Sequence, residues 1–257
     1  MPVEHKFLNN NNWNNGFWTE NAILKTDLYK PEILILGTFN PNTPNANFAD
    51  FFYGRNYFWT AFKNLFIENG FQLLSRRMPP YGQPALPLNP NLEEIFEICK
   101  KAKLSFADLI CEVFVNHDNV EFLPNDNVVL NGNVYNLIQD NARNNILGLA
   151  ELNQINEVEW NLNNILNYLI ENPDIKYVYF TRRPTNIWLE KWEELKDSIN
   201  LQDRNFQIIY TPSAQSLRGV PRMQSLINHW LFNNNPNYDR FSHDWLTRND
   251  VNLNNFL

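Results

Sequence analysis

The run Glu32-Ile33-Leu34-Ile35-Leu36-Gly37 constrains the fold of this chain more tightly than any other segment. It is short, wholly apolar between Glu32 and Gly37 and partly β-branched, and it is followed by Thr38-Phe39-Asn40-Pro41-Asn42-Thr43-Pro44. Such a run reads as a buried strand that ends at the glycine and feeds a rigid, proline-bounded loop.

The rest of the chain supplies partners for that strand. Phe58, Trp59, Phe62, Leu65, Phe66 and Ile67 fall at helical spacing and predict a helix over 56–69 stopped by Gly70; Ile95, Phe96, Ile98 and Cys99 predict another over 92–103. Between them Pro79, Pro80, Pro84, Pro87 and Pro90 exclude regular structure from 78–90. Segment 104–115 is a mixed apolar stretch around Asp108, and 116–133 is a polar surface excursion with a hairpin turn at Asn131-Gly132. The pattern continues as helix 161–170, strand 177–181, helix 184–199, strand 206–211 and helix 221–232. Strands separated by helices imply an α/β fold, a three-layer α/β/α sandwich around a central, mostly parallel sheet of about four strands.

Composition narrows the class. With 44% hydrophobic and 19% charged residues, 257 residues suffice for one substantial core, and neither repeats nor a linker divide them. The expectation is a single domain over 1–257, with core motifs over about 31–232 and N- and C-terminal extensions. A formal net charge of -7 argues against a protein that coats polyanions, so any nucleic-acid contact requires a local basic patch. Asparagine is roughly one residue in six, far above ordinary usage, but scattered among apolar residues; the runs 9–12 and 233–235 read as loops. Two cysteines, Cys99 and Cys111, and four histidines give no spacing for a disulfide framework, zinc or an iron–sulfur cluster. Residues 1–12 lack the apolar stretch of a secretory leader, and no run has the length to cross a bilayer, so a soluble, cytoplasmic monomer is expected.

Ligands of such folds bind at the carboxyl ends of the strands, which directs attention to the loops 38–56, 181–185 and 211–222. The first holds Gly37-Thr38-Phe39-Asn40-Pro41, then Phe51-Phe52-Tyr53-Gly54-Arg55 and Asn56-Tyr57-Phe58-Trp59; the third holds Thr211-Pro212-Ser213-Ala214-Gln215-Ser216 and Arg218-Gly219. Each has a structural explanation alone, as turn, core aromatics or approach to a helix. Together and in this order they resemble the uracil-DNA glycosylase superfamily, most nearly its mismatch-specific uracil/thymine and hypoxanthine branches, whose first motif looks like Gly-x-Asn-Pro and whose last looks like x-Pro-Ser. The resemblance spans 33–230, with 104–113 looking like the internal strand motif of that superfamily.

The resemblance implies a monofunctional DNA glycosylase that flips a damaged or modified base out of DNA and hydrolyses its N-glycosidic bond without a cofactor. Asn40 would hold a water near the anomeric carbon through its side-chain carbonyl, orienting rather than strongly activating it. Thr211 and Ser213 would support the leaving base through hydroxyl or backbone N–H groups, since Thr211 stands where many relatives carry His or Asn. Phe52 and Tyr53, with Phe51 behind them, would stack on the extruded base; Phe39 and Asn56 would line the pocket, Asn56 being equally suited to cap the helix. Pro212, Ser213, Gln215, Leu217, Arg218 and Arg222 would meet DNA, Gln215 or Leu217 as the wedge and the arginines on phosphate, with Arg55, Arg76, Arg77, Arg182 and Arg183 completing a basic rim. Asp108 reads as a surface or capping residue ahead of the alternative, a place near the pocket wall, and His5, His117, His229 and His243 lie outside the motifs. No lysine falls within the motifs, which gives no support to a Schiff-base lyase step. The substrate could be uracil, hypoxanthine or a bulkier modified pyrimidine of a phage genome, the last making this a defence enzyme. The competing readings are an inactive or weak DNA-binding member of the same fold, and a nucleotide-metabolising enzyme whose 37–42 loop takes phosphate.

Overall fold

A computed structural model describes residues 2–43, 51–53, 57–73, 90–116, 120–123, 127–135, 137–139, 146–213 and 222–257. The chain opens with a two-residue strand β1 (Val3–Glu4), then a meander of β2 (Asn9–Asn12), β3 (Phe17–Glu20) and β4 (Ile23–Thr26) before β5 (Ile33–Gly37). Helix α1 (Phe58–Lys63) runs on as a π turn over Asn64–Glu68 and ends at Asn69 in the left-handed region. Helix α2 (Leu92–Ala102) starts in a reciprocal capping box between Asn91 and Glu94, which satisfies two backbone donors that a helix start leaves open. Then come β6 (Leu104–Asp108), β7 (Ile110–Val113), β8 (Glu121–Leu123), β9 (Asn127–Leu130), β10 (Asn133–Tyr135), β11 (Leu137–Gln139) and β12 (Ile146–Gly148). The remainder is α3 (Leu149–Gln154), β13 (Val158–Trp160), α4 (Leu162–Glu171), β14 (Tyr177–Phe180), α5 (Ile187–Lys196), β15 (Asn205–Ile208), α6 (Arg222–Phe232) and α7 (His243–Arg248).

The main sheet has seven strands in the order β15-β14-β5-β6-β4-β3-β2. The first four are mutually parallel, and β4, β3 and β2 continue the sheet antiparallel. The α/β class holds, but the expected sheet of about four mostly parallel strands is corrected to a mixed one of seven. The reason lies in the N-terminal asparagines: 9–12, read as a loop, is the edge strand β2, pairing with β3 through backbone groups that need no apolar side chains. Its asparagines also close turns, Asn12 Oδ1 accepting from Asn14 N and Asn9 Oδ1 from Asn21 N. At Asn131-Gly132 both residues have positive φ, 52° and 76°, as a two-residue hairpin of the mirror-image type requires.

β5 shows why its sequence is continuously apolar. Ile33 and Ile35 enter one core with α1, α2 and α6, while Leu34 and Leu36 enter a second with α4 and α5, so a period of two fills both sides of the sheet and helices lie on both faces. The first core also takes in Phe7, Phe17, Phe241 and Trp245, far outside 31–232. A smaller antiparallel sheet, β1-β7-β13, adjoins the carboxyl ends of β5 and β6 and brings the N-terminus there.

Candidate functional site

The loop leaving β5 is fastened from two sides. Leu109 N and Ile110 N donate to Gly37 O and Thr38 O, Lys6 N donates to Asn40 O at 2.7 Å, and Asn42 N donates to Glu4 O at 2.8 Å. His5 bridges to Pro41, and its own N–H donates to Cys111 O at 2.7 Å. Residues 4–6 are therefore a strap between the Asn40 loop and β7.

Asp108, the last residue of β6 and the partner of Gly37 across the sheet, is 1% exposed. Its Oδ2 accepts Asn40 Nδ2 at 2.6 Å and His5 Nε2 at 2.7 Å. His5, 2% exposed, accepts the Phe7 N–H on Nδ1 at 2.9 Å; the ring proton therefore sits on Nε2, which donates. Gly37 makes the arrangement possible, because a methyl there would overlap Asp108 Oδ1 and lie 2.9 Å from the Tyr53 hydroxyl. Asp108 is thus corrected from a surface or capping residue to a buried acceptor. His5, assigned no role from sequence, belongs to the same cluster. Its signal was the alternation Val3-x-His5-x-Phe7, whose three residues are all buried, with Glu4 exposed and Lys6 half-buried between them.

The aromatic residues divide. Phe51 and Phe52 are fully buried; Phe51 sits among Trp13, Trp59, Phe96 and Phe106, and Phe52 lies 4.8 Å from Phe7 and stacks on Phe106. Neither offers a free ring face in this conformation, so the structure uses both as core. Tyr53 is half-buried with φ 55°, stacks on Phe58 at 4.7 Å and donates its hydroxyl to Thr181 Oγ1 at 2.8 Å, which in turn donates to Leu36 O. Phe58 and Trp59 join helix to sheet, as their spacing predicts. Phe39 is half-buried, its ring 5.9 Å from that of His5.

The third loop arrives at the same end of the parallel block. Tyr57 N, at the start of α1, donates to Pro212 O at 3.1 Å, joining the Asn-x-Phe-Trp run to the last motif directly. Pro212 is buried, Thr211 and Ser213 are half-buried, and Ser213 N approaches Thr211 Oγ1 at 3.4 Å. Arg182 lies 4.9 Å from the Trp188 ring centre, and Arg183 is exposed. Arg222 begins α6. Asn56, Gln215, Leu217 and Arg218 lie outside the described residues, as do Arg55, Arg76 and Arg77.

Neither cysteine is an available thiolate: both are buried, and burial, ahead of Glu159, Glu112 and Asp108, pushes the Cys111 thiol up to about 12. Among the described residues no group of three or more His, Cys, Asp and Glu side chains is placed to hold a metal ion, and no helix is long and apolar enough to cross a membrane. A cleft of about 650 Å³ opens along the β15 edge, lined by Tyr177, Asn205, Gln207 and Tyr238 among others; Asn40 is not part of it. No family model matches the chain, and neither a curated protein nor a solved structure does.

Proposed function

We propose that the chain is a monofunctional DNA glycosylase of the uracil-DNA glycosylase kind, its parallel block and two helical layers forming the three-layer α/β/α core of that superfamily. The observation that carries the reading is convergence. The Gly-x-x-Asn-Pro loop and the Thr-Pro-Ser loop leave the carboxyl ends of β5 and β15, which flank β14 in one parallel block, and the start of α1 is joined to the Thr-Pro-Ser loop by the Tyr57 to Pro212 bond. This is where an open α/β sheet binds its ligand.

In the reaction the bond from C1′ to the base nitrogen breaks, its electron pair leaves with the base, water oxygen bonds to C1′, and the proton the water loses ends on the released base. Bond breaking runs ahead of water attack, so the main requirement is electrostatic support for the departing base rather than a strong base. Asn40 supplies an amide oxygen that orients the water. Thr211 and Ser213 supply hydroxyl and backbone N–H groups to the leaving base, without the imidazole of many relatives. Tyr53 takes over the stacking role from Phe51 and Phe52, and Arg183, exposed at the carboxyl end of β14, meets a phosphate.

The test is a panel of labelled oligonucleotides carrying uracil, hypoxanthine, a thymine mismatch, hydroxymethylcytosine or glucosylated hydroxymethylcytosine, treated with alkali after incubation. Alkali-dependent scission at one or more of these bases, abolished in Asn40→Ala, is expected. The base cleaved separates repair from defence against modified phage DNA. Binding without scission across the panel would establish the inactive binder instead, and hydrolysis of free nucleosides alone the nucleotide-metabolising enzyme.

A further inference from the structure

We propose that His5 and Asp108 are positioning residues that hold the Asn40 side chain in one of its two amide orientations, Nδ2 inward to the carboxylate and Oδ1 outward. A carboxamide turned by half a revolution exchanges donor for acceptor with almost no change in shape. A lone asparagine at a strand end therefore presents either group to a ligand. Here the choice is fixed, because Asp108 Oδ2 accepts Nδ2 at 2.6 Å and the turned amide would set oxygen against oxygen beside a carboxylate that is itself buried.

The carboxylate is itself held. His5 Nε2 donates to the same oxygen at 2.7 Å, and the Phe7 N–H occupies Nδ1, so the neutral ring cannot present an acceptor toward Asp108. The strap that carries His5 also fixes the Asn40 backbone through Lys6 N. Main chain and side chain of Asn40 are thus set by one N-terminal segment that lies outside the recognisable motifs. What the orientation serves rests on the glycosylase reading: an outward Oδ1 accepts a hydrogen bond from water, whereas an outward Nδ2 would repel its protons.

The experiment compares the full-length chain with Asp108→Asn, His5→Ala and His5→Gln. It reads the single-turnover excision rate and the DNA dissociation constant on an oligonucleotide the wild type cleaves, with side-chain NMR of the same proteins. Asp108→Asn and His5→Ala should slow the rate by roughly 10- to 100-fold, as expected for loss of a held geometry, and leave DNA affinity within about twofold. His5→Gln, whose Nε2 can donate in place of the imidazole, should recover most of the rate. A wild-type rate in Asp108→Asn, or loss of affinity in step with rate, would overturn the proposal. Should the wild type cleave nothing in the panel, the glycosylase reading fails by itself and the NMR decides the orientation. Asn40 amide protons that exchange slowly in the wild type and fast in Asp108→Asn uphold it; fast exchange in both overturns it.

Discussion

At the scale of single residues the site depends on one absent side chain and one acceptor. Gly37→Ala would drive a methyl into Asp108 Oδ1 and toward the Tyr53 hydroxyl; the overlap should cost about 1–3 kcal/mol by chemical denaturation. It should also slow excision, since Asp108 must move away from Asn40; unchanged stability would refute this reading of the glycine. Asn40→Asp is the more informative change. A carboxylate is by itself the stronger water activator, but here it would face Asp108 Oδ2 across a 2.6 Å contact, and one of the two carboxyls must keep a proton. The retained proton has a raised affinity in the folded state, so the variant should lose stability as pH rises through that raised value, and excise more slowly than wild type at neutral pH. Faster excision at neutral pH would contradict the buried-acceptor role of Asp108. The loop that carries Asn40 was legible from sequence because an apolar strand, a glycine and a proline mark its start. His5 was not, because its partner lies about a hundred residues away and only a strand-like alternation of three buried residues marks it.

At the scale of elements, legibility followed burial. β5, β14 and the helices α1, α2, α4, α5 and α6 carry apolar runs or helical spacing, and their bounds fall within a few residues of those expected from sequence. β2 carries none, since an edge strand of asparagines pairs through main-chain groups and needs no apolar side chains. The small sheet β1-β7-β13 was hidden for a related reason: its strands are short and its exposed face acidic. Glu112 sits opposite both Glu4 and Glu159. Burial first, then Glu159 and Glu4, raises its carboxyl above the usual value. A raised value in the fold means that the contribution to stability is present at acid pH and lost as pH rises through it, so at neutral pH the row is a cost. Glu112→Gln should therefore stabilise the chain at pH 7 by up to about 1 kcal/mol, a gain that shrinks toward pH 4. A lower melting temperature for the variant at pH 7 would show that the row is compensated by other contacts.

At the scale of the whole molecule the acidic balance sets how DNA can be held. A chain with a net charge of -7 repels a polyanion over most of its surface, and on the proposed glycosylase reading DNA is held near Arg183, which stands exposed at the carboxyl end of β14. Affinity should therefore follow only a few phosphate contacts. The slope of log K against log salt should be no steeper than about -4, and Arg183→Ala should make it shallower by about 0.9, the share of one contact. A slope unchanged by that variant would place DNA elsewhere on the surface. The most direct measurement of the central claim is the identification by mass spectrometry of the free base released from duplex or single-stranded DNA, with wild type and Asn40→Ala in parallel. Release of one intact base with a matching abasic site, absent from Asn40→Ala, is the result predicted; release at equal rates from both proteins, or DNA bound and returned unaltered by the wild type, would contradict it.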